Sequence, residues 1–158
     1  MFKPWVVIPL FFFIIISHSF LLFYYSGKYE ITSFADKPYL LFFTGIIFLV
    51  STVFHELGHT SACKYYGVKH NEIGIGLYLT LPVFYANISN SWILPAKKRA
   101  VIDIAGIYFQ YIFNVLLLLV FFVTSNEILL YTMFAIFIQT IITLNPFFRF
   151  NRYFQTIH

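Results

Sequence analysis

Charge is what this chain has least of. Only 10% of its 158 residues are Asp, Glu, Lys or Arg, while 60% are hydrophobic and 23% aromatic. A soluble domain averages about 25% charged and 45–50% apolar, so a water-exposed globular surface is excluded. A mean hydropathy of +0.81 points to a polytopic membrane protein. Cys63 is the single cysteine, which excludes an internal disulfide and leaves the redox compartment open. Basic residues give a formal charge of +4 but are scattered around apolar runs rather than gathered into a patch. They read as topology determinants and lipid-headgroup contacts, not as a nucleic-acid surface. Repeats, low-complexity runs and linkers are lacking too, so residues 1–158 read as one membrane-embedded domain.

Four apolar segments are long enough to span a bilayer. Trp5 to Tyr25 is the first, preceded by Lys3; a cleaved signal peptide competes with it, because Ser17-His18-Ser19 imitates a cleavage site. The apolar run continues past that site through Phe20-Leu21-Leu22-Phe23, which favours a retained helix. Tyr39 to Cys63 is the second, Ala100 to Val123 the third, and Ile128 to Phe148 the fourth. Only Thr124-Ser125-Asn126-Glu127 separates the last two, so an antiparallel helical hairpin is expected. Pro146 ends or kinks the fourth helix, since proline removes a backbone donor. With the N-terminus in the cytoplasm, Lys3, Lys64, Lys69, Lys97, Lys98, Arg99, Arg149 and Arg152 all lie inside. Lys28 and Lys37 alone lie outside, in keeping with the positive-inside rule. A multi-pass protein of the cell membrane is expected, with both termini cytoplasmic. Lys97-Lys98-Arg99 is assigned to headgroup anchoring.

Between the second and third spans the period changes. Ile73, Ile75, Leu77, Leu79 and Leu81 alternate with Gly74, Gly76, Tyr78 and Thr80, the rhythm of a strand. Pro82 interrupts it, and Asn87, Ser89, Asn90 and Ser91 make a polar turn region. The fold class expected is therefore an all-α polytopic membrane protein of about four transmembrane helices. A small membrane-embedded β-hairpin or loop is expected between the second and third.

The second span carries His55-Glu56-Leu57-Gly58-His59 near its C-terminal end. Histidines four apart fall on one helix face, about 40° apart and roughly 6 Å along the axis. At that spacing two imidazoles reach one zinc ion, with the glutamate between them placed to take a proton from metal-activated water. Ionisable groups inside a membrane helix are costly, so a functional site is the default reading. The competing reading is a pair of buried histidines bonded to each other or to carbonyls. Gly58 would admit close approach of either a substrate or a neighbouring helix. A catalytic zinc takes three protein ligands, and here the third is open. Tyr65 stands where an extended motif would need histidine, and Cys63 is two helical turns from His55. Asp103 begins the third helix at a similar depth, and Asn145 and Asn151 flank Pro146.

His55-Glu56-Leu57-Gly58-His59, followed by Asn145-Pro146, resembles the site-2 protease family of intramembrane zinc metalloproteases. The stretches Leu81 to Trp92 and Asp103 to Gln110 are similar to its bacterial branch of peptide zinc metalloproteases, often associated with making or exporting modified peptides. The resemblance spans about two-thirds of the chain, from near Val50 to Tyr153. It implies a helical core holding Zn²⁺ through His55, His59 and an aspartate in an Asp-Gly pair after the Asn-Pro element. The corresponding pair here is Asn151-Arg152, which makes Asn151 a weak third-ligand candidate, with Asp103 the lesser one. Relatives continue with further membrane segments, which implies a chain shortened at its C-terminus.

The expected activity is that of a zinc metalloendopeptidase, with Glu56 as catalytic acid and base and Asn145 and Asn87 as substrate-binding candidates. Expected partners are membrane lipid, a transmembrane or peptide substrate, and another membrane subunit. The alternative is a catalytically inactive relative that binds a peptide or membrane partner. A third reading is a small transporter or channel component with Gln110, Asn114 and Gln139 lining a path, although interhelical hydrogen bonding explains those residues too.

Overall fold

The computed structural model describes residues 36–69, 72–78 and 81–144 continuously, with only isolated positions before residue 36. The expected Trp5–Tyr25 span therefore lies outside the described residues, as do Asn145 and Asn151. The fold is mostly helical. Helix α1 (Pro38–Tyr65) leads to strands β1 (Ile73–Tyr78) and β2 (Leu81–Ala86). A 3₁₀ turn (Ser89–Ile93), helix α2 (Ala96–Thr124) and helix α3 (Glu127–Leu144) follow. All three helices are long and apolar enough to cross a membrane. At 1.5 Å per residue, the 28 and 29 residues of α1 and α2 reach ~42 Å and ~43 Å, beyond a hydrocarbon core of about 30 Å. Large side chains such as Phe42, Leu49, Leu119, Phe122, Phe134 and Ile141 stay exposed around the three helices, a surface suited to acyl chains.

Local chemistry sets the ends. Pro38 at the start of α1 gives up an N–H that a first turn leaves unpaired anyway. The same helix closes in a Schellman turn: Val68 N–H donates to Cys63 O at 3.0 Å and Gly67 N–H to Lys64 O at 3.1 Å. Gly67 takes the left-handed φ of 72° that this turn requires. Helix α2 begins four residues before the expected Ala100, because the Pro95 carbonyl already accepts from the N–H groups of Lys98 and Arg99. It ends at Ser125, whose φ of 49° turns the chain. Asn126 Oδ1 then accepts from Ile128 N–H at 2.9 Å and caps α3. The expected helical hairpin is present, with Ser125 and Asn126 as its whole connection.

The expected strand divides into an antiparallel hairpin between the first and second of these helices, with Ile73 opposite Ala86 and Leu77 opposite Pro82. Asn87 N–H donates to Glu72 O at 3.1 Å, which places 87 and 72 opposite each other as a hydrogen-bonded pair continuing the register. By the alternation of an antiparallel ladder, Pro82, Phe84 and Ala86 then direct their backbone groups to the outer edge of β2. This explains how Pro82 sits inside a strand: its missing N–H falls on the side where no partner strand needs it.

Helix α1 packs most extensively on α2. Gly58 makes this possible, since a Cβ there would collide with the Ala105 carbonyl oxygen. Of the two uses expected for Gly58, close helix packing is the one observed. Beyond this crossing, Ala62, Cys63, Ile88, Ile102 and Ala105 form one apolar cluster. Leu117, Leu118, Phe121, Met133 and Ile136 form another between α2 and α3.

Candidate metal centre

The α1–α2 crossing lies beside the paired histidines. His55, Glu56 and His59 are 6%, 5% and 3% exposed, so three polar side chains are removed from solvent within two turns of one helix. A buried polar group needs a partner, and each histidine finds one through Nδ1. His59 Nδ1 lies 2.7 Å from the Ile102 carbonyl of α2. A carbonyl can only accept, so His59 carries its proton on Nδ1 and leaves Nε2 with a bare lone pair.

His55 reaches the same state through a longer route. Its Nδ1 is 3.2 Å from Gln110 Oε1. Gln110 Nε2 donates to Ser51 Oγ at 3.2 Å and to Gln139 Oε1 at 2.7 Å. Ser51 Oγ spends its own proton on the Phe48 carbonyl, 2.7 Å away. Because that carbonyl only accepts, the direction of the whole chain is set: Ser51 must accept from the Gln110 amide, and Gln110 Oε1 must accept from His55 Nδ1–H. His55 is thereby assigned the same tautomer as His59.

The two Nε2 atoms face each other at 3.1 Å, with the rings at 78°. With both rings neutral in these tautomers neither has a proton to offer the other, so two lone pairs are opposed in an apolar interior. The expected alternative, buried histidines bonded to each other or to carbonyls, is met in the same contacts: His59 is bonded to the Ile102 carbonyl, and the two Nε2 atoms lie at hydrogen-bond distance. Two nitrogens held by one tetrahedral ion at ~2.05 Å would stand about 3.3 Å apart. The observed separation fits that. Orientation of each ligand through its other ring nitrogen is also the usual support of a metal-bound imidazole. Gly106 contributes by having no side chain: a Cβ there would stand 2.5 Å from His59 Nε2 and 2.7 Å from His55 Nε2. The two imidazoles would serve as two of the ligands of a divalent cation of the zinc type.

Glu56 projects toward the hairpin, where its carboxylate takes a hydrogen bond from the Ala86 backbone. Ala86 is one of the residues whose N–H the ladder turns outward, so the end of β2 is docked on the glutamate. Asn87, next in the chain, uses Oδ1 to accept from Ser89 N–H at 3.2 Å and Ser89 Oγ at 2.7 Å. It thus shapes the turn that follows the strand.

No third Asp, Glu, His or Cys joins the pair to make a metal-holding cluster among the described residues. Asp103 is exposed one residue beyond Ile102, and Cys63 is fully buried in its apolar cluster. Asn145 and Asn151 lie outside the described residues. Sequence reasoning did not assign Ser51, Gln110, Gln139, Gly106 or Ala86 to the centre. The available signal was the recurrence of uncharged polar residues on otherwise apolar helices.

No protein-family model matches the chain, and no solved structure matches it. Among curated proteins, the chain is 29% identical over 86 residues to the "Putative peptide zinc metalloprotease protein YydH" of Bacillus subtilis (strain 168). The alignment covers 53% of this chain and 34% of that protein, so the matched region spans about a third of the relative's length. The chain with paired imidazoles at its helix crossing is thus distantly similar to a protein whose name couples zinc to peptide cleavage.

Proposed function

We propose that this chain forms the zinc-holding core of an intramembrane metallopeptidase of the site-2 type, acting on a peptide or membrane-associated segment. One observation carries the reading. Two histidine Nε2 lone pairs are opposed at 3.1 Å, each fixed by a chain of bonds that ends on a carbonyl. A shared proton could also lie between them, but it needs no clear space beside the nitrogens such as the one Gly106 leaves. Distant similarity to a protein named for zinc and peptide cleavage supports the same reading.

In this proposal His55 and His59 hold the metal. A zinc ion bound there would supply Lewis acidity, which would polarise a peptide carbonyl and make water acidic enough to lose a proton near neutral pH. Glu56 takes that proton and passes it to the leaving amine. The Ala86 hydrogen bond aims its carboxylate. The outer edge of β2 receives the substrate: the N–H and C=O of Phe84 and the C=O of Ala86 can pair with an extended segment by strand addition. A helical substrate would have to unwind to be held this way, which exposes its carbonyls beside Glu56. The third ligand is assigned to Asn151. The site opens toward the cytoplasmic leaflet of the cell membrane, and a further membrane subunit is a proposed partner.

A second reading is favoured by the amide at position 151, where the resembled family has a carboxylate. In it the chain binds a peptide or membrane protein without cleaving it. Glu56→Gln in the full chain separates the two. Loss of peptide cleavage with zinc retained supports the peptidase, whereas full biological activity in that variant supports binding alone. Asn151→Asp is expected to raise zinc affinity if residue 151 is a ligand.

A further inference from the structure

Three uncharged polar residues, one per helix, meet beside His55: buried Ser51 on α1, buried Gln110 on α2 and half-buried Gln139 on α3. Gln110 is 1% exposed and Ser51 fully buried. Simple helix–helix adhesion would need only one bond between neighbours, yet Gln110 uses both ends of its amide, and the acceptor end goes to His55. An amide can be turned end for end, and the two orientations have opposite consequences. With Oε1 toward His55, the ring must be protonated on Nδ1 and Nε2 is a lone pair. With the NH₂ toward His55, Nδ1 must be the lone pair and Nε2 carries the proton, which blocks coordination through Nε2. Something must therefore hold the amide one way round.

We propose that Gln110 is a positioning residue that locks the tautomer of His55, and that Ser51 and Gln139 lock Gln110. Ser51 Oγ has given its proton to the Phe48 carbonyl at 2.7 Å and presents only lone pairs to Gln110. A reversed amide would set Gln110 Oε1 against that oxygen and against Gln139 Oε1, at the 3.2 Å and 2.7 Å where hydrogen bonds now lie. The Ser51 contact is buried, so opposing two acceptors there costs about 1–3 kcal/mol, and the part-buried contact with Gln139 adds a smaller cost. His59 needs no such device, because the Ile102 carbonyl cannot be reversed. The two histidines thus reach one tautomer by different means. Only that of His55 depends on all three helices being together. Its consequence for the metal rests on the zinc reading; the lock itself does not.

The test uses the full chain in lipid nanodiscs with ¹⁵N-labelled histidine, and its first readout is taken without metal. In wild type, the His55 and His59 signals are expected to report Nδ1–H and a bare Nε2. Gln110→Leu is expected to release His55 into a mixture of tautomers while His59 stays as it was. Gln110→Glu, which keeps an acceptor toward His55, is expected to restore the Nδ1–H form. Zinc affinity, read by competition with a chromophoric chelator, should fall about 10–100-fold in Gln110→Leu. Unchanged His55 signals in Gln110→Leu overturn the lock; where wild type binds zinc, an equal affinity in Gln110→Leu overturns its consequence for the metal. Should Gln110→Leu fail to fold, Ser51→Ala combined with Gln139→Leu removes both contacts that hold the amide, and an unmoved His55 there is equally fatal. If wild type binds no zinc while the His55 tautomer still responds to Gln110, the lock stands and the metallopeptidase reading falls.

Discussion

Adding one methyl group at position 106 should cripple the metal centre without unfolding the bundle. In Gly106→Ala the new Cβ would lie 2.5 Å from His59 Nε2, 2.8 Å from His59 Cε1 and 2.7 Å from His55 Nε2. Ordinary non-bonded contact begins near ~3.5 Å, so both rings must retreat by roughly 0.8–1 Å or α2 must move away from α1. Neither is easy. His59 is tied to the α2 backbone by its 2.7 Å bond to Ile102, and Gly58 lies against Ala105 one residue away. Metal ligands tolerate displacements of only about 0.2 Å. Overpacking of this kind costs about 1–3 kcal/mol, which is a loss of about 5- to 150-fold in zinc affinity if it falls on the bound state. The assay is chelator competition on purified protein, with helical circular dichroism to verify the fold. Gly45→Ala is the control, because a Cβ there meets nothing within 4 Å. It should bind zinc normally and melt slightly higher, since alanine stiffens a helix that glycine loosens. If Gly106→Ala binds zinc as tightly as wild type, the nitrogens do not form the site.

Other substitutions probe the remaining links. Gly58→Leu should separate α1 from α2 and lower the thermal midpoint sharply, because its side chain would meet the backbone at Ala105 and Gly106; an unchanged midpoint would contradict the close crossing. Phe84→Pro should weaken peptide binding while the hairpin persists, since the N–H it removes faces outward. Tyr85→Pro, which removes an N–H of the ladder itself, should disrupt the hairpin, and equal effects of the two variants would count against the edge assignment. Lys37→Ala should change stability by less than about 0.5 kcal/mol. Its 3.4 Å pair with Glu127 is part-exposed, and such pairs contribute little.

The sequence was most informative where one physical rule dominated. Long apolar runs gave the three described helices, with every bound that falls among the described residues within four residues, because a bilayer tolerates few other solutions; the expected end at Phe148 lies outside them. The His-Glu spacing placed two imidazoles on one face by helix geometry alone. Their mutual orientation was not legible, since it depends on Gln110 and Ile102 from a helix more than forty residues away. Alternation marked Ile73 to Leu81 as extended, but the pairing of Tyr78 with Leu81 and of Leu77 with Pro82 came from register, which periodicity does not fix. Gly106 had no visible signature either; its meaning lies in what a side chain there would touch.

The central claim is that His55 and His59 share one metal ion through Nε2. X-ray absorption at the zinc edge of the metal-loaded full chain tests it most directly. The account predicts scattering from two imidazoles at about 2.0–2.1 Å, reduced to one in His55→Ala. A spectrum without imidazole scattering, or one that His55→Ala leaves unaltered, would contradict it.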